Sequence, residues 1–231
     1  MIDREQLVKE LEALSDDKYR IFNEKIVHTS SYRVIGVRMP DIKAIAKRYK
    51  ADWKEIFALP YDSFEEIMVK GAALGFAGAD FGEKEPYITA YAEMIDNWAE
   101  CDCFCSCLKV GKSEEARLFS LAQELMSRKE EFVSRVGVVL MFSKFKDEVS
   151  MKKALAIYDT LPCGEYYRDM AVAWGISVYC VYYPQDVIAY LENSPIDIRV
   201  KKMAAQKIRD SLRIEKCVKD AVTGIVNSKK Q

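Results

Sequence analysis

Proline and glycine are scarce in this chain, and histidine is almost absent. Its 231 residues include six prolines, ten glycines and one histidine, His28. So few helix breakers exclude a collagen-like, low-complexity or turn-rich β architecture. A single histidine with no supporting neighbours gives no Ser-His-Asp or Cys-His arrangement, and His28 is expected at a surface or helix end. No glycine-rich phosphate loop is present, since Gly71, Gly75 and Gly78 have the spacing of a helix crossing. The longest apolar runs, 136–142 and 170–176, are too short to span a bilayer. The first five residues lack the apolar core of a signal peptide. Charge of one sign is also missing: Lys and Arg total 35 against 36 Asp and Glu, so bulk charge announces no polyanion partner. Seven cysteines, an odd number with four crowded into 101–107, do not form a secreted disulfide framework. These absences together point to a cytoplasmic protein with reduced thiols and no membrane contact.

What the chain does have is helix-forming sequence nearly everywhere. Half of its residues are hydrophobic and 31% are charged, enough for a large core. Apolar residues recur at 3–4 spacing over 2–14, 18–27, the run from Pro40, 64–76, 86–94, 97–108, 114–126, 130–145, 151–159, 165–182, 185–191, 195–211 and 214–226. Pro40 suits a first helical turn. Ser63 followed by Glu66 reads as a capping box, and Ser113 ahead of Glu114 and Glu115 reads as a cap. The final residues, 227–231, are expected to fray. Helices of this length recurring in pairs, without a linker, predict one all-α domain over 1–231, a solenoid of HEAT/armadillo-like helix pairs. The most apolar helices, 130–145 and 165–182, belong at its centre.

Charge is blocky. Basic residues gather in 33–54 and again in 199–219, and 80–102 is mostly acidic. Either the two basic blocks line a nucleic-acid surface or they are solvated helix faces.

Trp98 and Asp102 stand four residues apart in Asn97-Trp98-Ala99-Glu100-Cys101-Asp102, which on a helix places indole and carboxylate on one face, shared with Cys105. An aromatic face beside a carboxylate suits a cation-like species. Trp174 lies in a second apolar run, and Arg135 opens another. The alternating Cys101, Cys103, Cys105 and Cys107 cannot converge on one metal ion, because residues two apart on a helix point about 200° apart. They read as small buried hydrophobes, and no metal site is expected.

The run from Gly36 to Lys47, Gly-Val-Arg-Met-Pro-Asp-Ile-Lys-Ala-Ile-Ala-Lys, resembles a signature of bacterial DNA alkylation repair glycosylases, the AlkD-like family. The Asn97-Trp98 to Asp102 segment is similar to that family's Asn-Trp-x-x-x-Asp motif. Arg135 falls where the family has an arginine ahead of an apolar run. Trp174 falls in its second tryptophan helix, with Pro184 at the break that follows. The resemblance covers about 20–212 with the motifs in order. It implies a right-handed superhelix of HEAT-like helix pairs and hydrolysis of the N-glycosidic bond of cationic alkylated purines, such as 3-methyladenine and 7-methylguanine, in duplex DNA without base flipping. By that resemblance Asp102, Trp98 and Trp174 are the catalytic residues. Arg135, Arg38, Lys109, Lys112 and Lys144 contact DNA, no metal or organic cofactor is needed, and the protein acts as a monomer. The chain departs from the family where Trp174-Gly175-Ile176-Ser177-Val178 replaces Trp-x-Leu-Arg-Glu, so that Ser177 and Val178 stand in place of an Arg-Glu pair. With the near-neutral charge, this motivates an alternative: a non-catalytic helical-repeat protein that binds DNA structures or a protein partner.

Overall fold

The computed structural model describes residues 2–27 and 32–228. His28 and residues 229–231 therefore lie outside the described residues. Among those described the fold is all-α, with fourteen α-helices: α1 (Arg4–Glu12), α2 (Asp17–Val27), α3 (Met39–Arg48), α4 (Trp53–Ala58), α5 (Phe64–Phe76), α6 (Phe81–Met94), α7 (Trp98–Cys107), α8 (Glu115–Met126), α9 (Glu131–Lys144), α10 (Glu148–Tyr158), α11 (Tyr166–Tyr182), α12 (Pro184–Asn193), α13 (Ile198–Asp210) and α14 (Lys216–Ser228). The chain packs as two compact units, Met1–Leu118 and Phe119–Gln231.

In the first unit α3, α5 and α7 lie side by side, with α4 against α5. The capping box at Ser63 forms as its sequence requires: the Glu66 backbone N–H donates to Ser63 Oγ, and the Glu66 carboxylate accepts from the Ser63 backbone N–H over 3.0 Å. α5 is buried from Phe64 through Gly75, so it is the centre of this unit. A Cβ added at Gly75 would stand 2.9 Å from backbone and side-chain atoms of Cys107, so the glycine is what lets α5 and α7 approach.

In the second unit α9, α11 and α13 form the equivalent row, with α12 and α14 packed alongside. α9 is buried without a break from Val133 to Phe142, and ten of the seventeen residues of α11 are buried. Both helices are thus largely enclosed within this unit, as their apolar sequences lead one to expect.

Several boundaries differ from the sequence reading. Pro86 does not begin a helix. It sits inside α6, which starts five residues earlier because Phe81 is fully buried and its backbone N–H donates to Glu114 over 2.7 Å. Pro195 lies ahead of α13, whose start is set by Asp197 capping the Arg199 backbone N–H over 2.7 Å. Ser113 falls within a short 3-10 turn, Lys112–Glu114, and α8 begins beyond it. α4 has only six residues, too few to register as a period, yet it buries Trp53 and Ile56.

Candidate active site

The loop that carries the Gly-Val motif is shaped by one buried carboxylate. Glu65 on α5 is fully buried and accepts backbone N–H donations from Ile35, Gly36 and Val37 over 2.9, 2.7 and 3.2 Å. Gly36 has φ +96°, a left-handed conformation that a side chain resists, and a Cβ there would lie 2.6 Å from Arg20 Cβ. The clasp fixes Val37 and Met39 at the head of α3, where Pro40 occupies the first turn.

Against this loop α7 begins at Asn97, whose side chain caps the Ala99 and Glu100 backbone N–H groups over 3.0 and 3.1 Å. The helix turns Trp98 and Asp102 toward a cavity of about 210 Å³, whose other walls include Tyr19, Met39, Lys43 and Ser106. Both Trp98 and Asp102 are partly exposed. Trp98 Nε1 donates to the Ile26 carbonyl over 3.0 Å at the end of α2. Lys43 Nζ donates to Ser106 Oγ over 2.9 Å, and Ser106 in turn donates to the Cys103 carbonyl over 2.7 Å.

The third member of the Trp98–Asp102 face is Ser106, one further step of four along the helix. Cys105, expected on that face, is fully buried instead. All four cysteines of α7 are at most 2% exposed and belong to the core. The Cys103 thiol is pushed well above the ordinary range by its hydrogen bond with Cys107 and by burial, which keeps it neutral.

Glu100, on the buried side of the same helix, is fully enclosed. Burial pushes its carboxyl up to about 8, and its Oε1 has no hydrogen-bond partner. Sequence inspection assigned no role to Glu65, Glu100 or Tyr19, and it marked Lys43 only as part of the basic 33–54 block and of the Gly36–Lys47 run.

The remaining expected contacts fall in different settings. Arg38 is exposed, pairs with Asp16 over 2.7 Å and lies 4.8 Å from the Tyr19 ring centroid. Lys109 and Lys112 are exposed beyond the end of α7. In the second unit, Lys144 is partly exposed at the end of α9. Trp174 packs edge-on against Phe142 with centroids 4.7 Å apart, and lines a separate hollow of about 280 Å³ with Ser177, Val178, Lys207 and Arg213. Arg135 is only 4% exposed, and its Nη1 donates to the Tyr167 carbonyl over 2.8 Å. Its guanidinium braces α9 against α11, because the helix that carries it is enclosed along its whole middle. Within the first unit the structure joins Trp98 and Asp102 in one cavity, and within the second unit Trp174 and Arg135 occupy different settings.

An all-helical fold with an indole and a carboxylate walled by basic and aromatic side chains is the class these features define. A family model described as DNA alkylation repair enzyme matches residues 7–214, and the chain belongs to that family. No curated protein and no solved structure matches the chain. Membership gives the protein a role in DNA alkylation repair and DNA as its partner. Among the described residues no helix is long and apolar enough to cross a membrane.

Proposed function

We propose that the protein is a DNA glycosylase that hydrolyses the N-glycosidic bond of cationic alkylated purines in duplex DNA. The observation that carries this reading is the shared cavity of Trp98 and Asp102. An alkylated purine already bears positive charge and departs as a neutral base, leaving an oxocarbenium-like deoxyribose. Asp102 stabilises that charge and takes a proton as water adds to the sugar carbon. The Trp98 ring face packs on the cationic nucleotide and favours it over an unmodified one.

Lys43 at the cavity wall and exposed Arg38, Lys109 and Lys112 supply phosphate contacts in the first unit. In the second unit Trp174, Lys144, Lys207 and Arg213 offer aromatic and cationic contacts of the same kind. Release of free 7-methylguanine from methylated duplex DNA, lost in Asp102→Asn, tests this reading.

One observation favours a second reading, a non-catalytic binder of DNA structures or of a protein. Ser177 and Val178, which stand in place of the family's Arg-Glu pair, line the Trp174 hollow and leave it with less charge. DNA binding without base release, at any enzyme excess, distinguishes the two.

A further inference from the structure

The second unit holds a cavity with a different chemistry. It lies where the α10–α11 and α12–α13 connections meet, at the N-terminal ends of α11 and α13, and measures about 210 Å³. Arg168, in the first turn of α11, is one of its walls and is only 3% exposed. Its Nε is buried with no hydrogen-bond partner. The neighbouring carboxylates are engaged elsewhere. Asp169 pairs with Arg199 and accepts the Gly164 backbone N–H over 3.0 Å. Asp197 caps α13, and Asp159 accepts from Tyr190 over 2.8 Å. A buried guanidinium with an unfilled donor is costly unless something anionic reaches it.

We propose that this cavity binds a small monocarboxylate, with the carboxylate seated on the Arg168 guanidinium. The planar fork of arginine matches two carboxylate oxygens, and the two helix N-termini add favourable partial charge. The size of the cavity restricts the ligand to a small molecule. The three aspartates in its wall set the charge: one negative charge is matched by Arg168, whereas a phosphate monoester, about −1.5 to −2 at neutral pH, brings an excess that they oppose. A phosphodiester also carries one negative charge but is bulkier around the phosphorus, so it fits the recess less well.

Cys163 is exposed at this cavity, and Cys217 is exposed away from it. Their alkylation by iodoacetamide, followed by mass spectrometry on the intact chain, reports occupancy with an internal control. Acetate or propionate, with chloride holding ionic strength constant, should slow Cys163 severalfold and saturably while Cys217 keeps its rate. Inorganic phosphate and dimethyl phosphate should each protect less than acetate. Arg168→Met should abolish the protection. If that variant does not fold, Arg168→Lys, which keeps the charge without the fork, should need about tenfold more acetate. Absence of protection, equal protection by chloride, either phosphate matching acetate, or a protection curve unchanged in the folded Arg168 variant would each overturn the proposal.

Discussion

Trp98 Nε1 donates to the Ile26 carbonyl over 3.0 Å, tying the indole at the cavity to the end of a helix 72 residues earlier. The bond fixes the edge of the ring beside the cavity that Trp98 lines. Trp98→Phe keeps an aromatic face but loses the donor. It should reduce stability by about 1 kcal/mol and slow base release, and Trp98→Ala should slow it further. Thermal melts paired with single-turnover release of 7-methylguanine separate the two effects. Equal rates in Trp98→Ala and the native protein would remove the indole from the site.

The Glu65 clasp predicts a larger structural effect. Removing the carboxylate in Glu65→Ala leaves three backbone N–H groups of the 35–37 loop without their buried acceptor. A loss on the order of 3 kcal/mol or more is expected, with chemical denaturation as the measurement. Glu65→Gln keeps one acceptor oxygen and should lose less. A change within about 0.5 kcal/mol for Glu65→Ala, the size of an ordinary surface substitution, would show that the loop holds itself.

Glu100 gives the fold a pH dependence of known sign. Burial raises its carboxyl from 4.5 in a free chain to about 8 in the folded protein. Between these values the folded state holds a proton that the unfolded chain has released. The contribution of Glu100 is therefore full below about pH 4.5 and is lost as pH rises toward 8, by at most about 1.4 kcal/mol per pH unit. Glu100→Gln, neutral at every pH, should flatten this part of the stability profile. Parallel profiles for the two proteins between pH 5 and 8 would show that Glu100 is ionised in the fold.

Arg135 and Lys43 should respond to substitution in opposite ways. Arg135 is a buried brace, so Arg135→Met should lower the melting temperature and leave the salt dependence of DNA binding unchanged. Lys43 lies at the cavity wall, so Lys43→Met should keep the melting temperature and reduce the salt slope by about one phosphate contact. Fluorescence anisotropy with duplex DNA over a salt series measures both. A shallower slope for Arg135→Met would place that residue at the DNA interface.

The sequence made the helical nature of the chain legible because few residues interrupt a 3–4 period. It also exposed the Trp98–Asp102 face, since a spacing of four on a helix is geometry that no partner can undo. What it concealed depended on distant partners. Glu65 reads as an ordinary polar residue near a helix start. Its role comes from three backbone donors about thirty positions upstream. Arg135 at the head of an apolar run reads as a DNA contact, and its bond to the Tyr167 carbonyl, 32 positions downstream, has no local signal. α6 starts early because Phe81 is buried, which its local sequence could not register beside Pro86.

The measurement that bears most directly on the central claim is single-turnover release of 7-methylguanine from methylated duplex DNA at low salt and enzyme excess, comparing native protein with Asp102→Asn. Circular dichroism and DNA affinity should be equal for the two, since the amide is nearly isosteric. The account predicts base release by the native protein and a loss of orders of magnitude in the variant. Release at the native rate by Asp102→Asn, or none by the native protein, would contradict it.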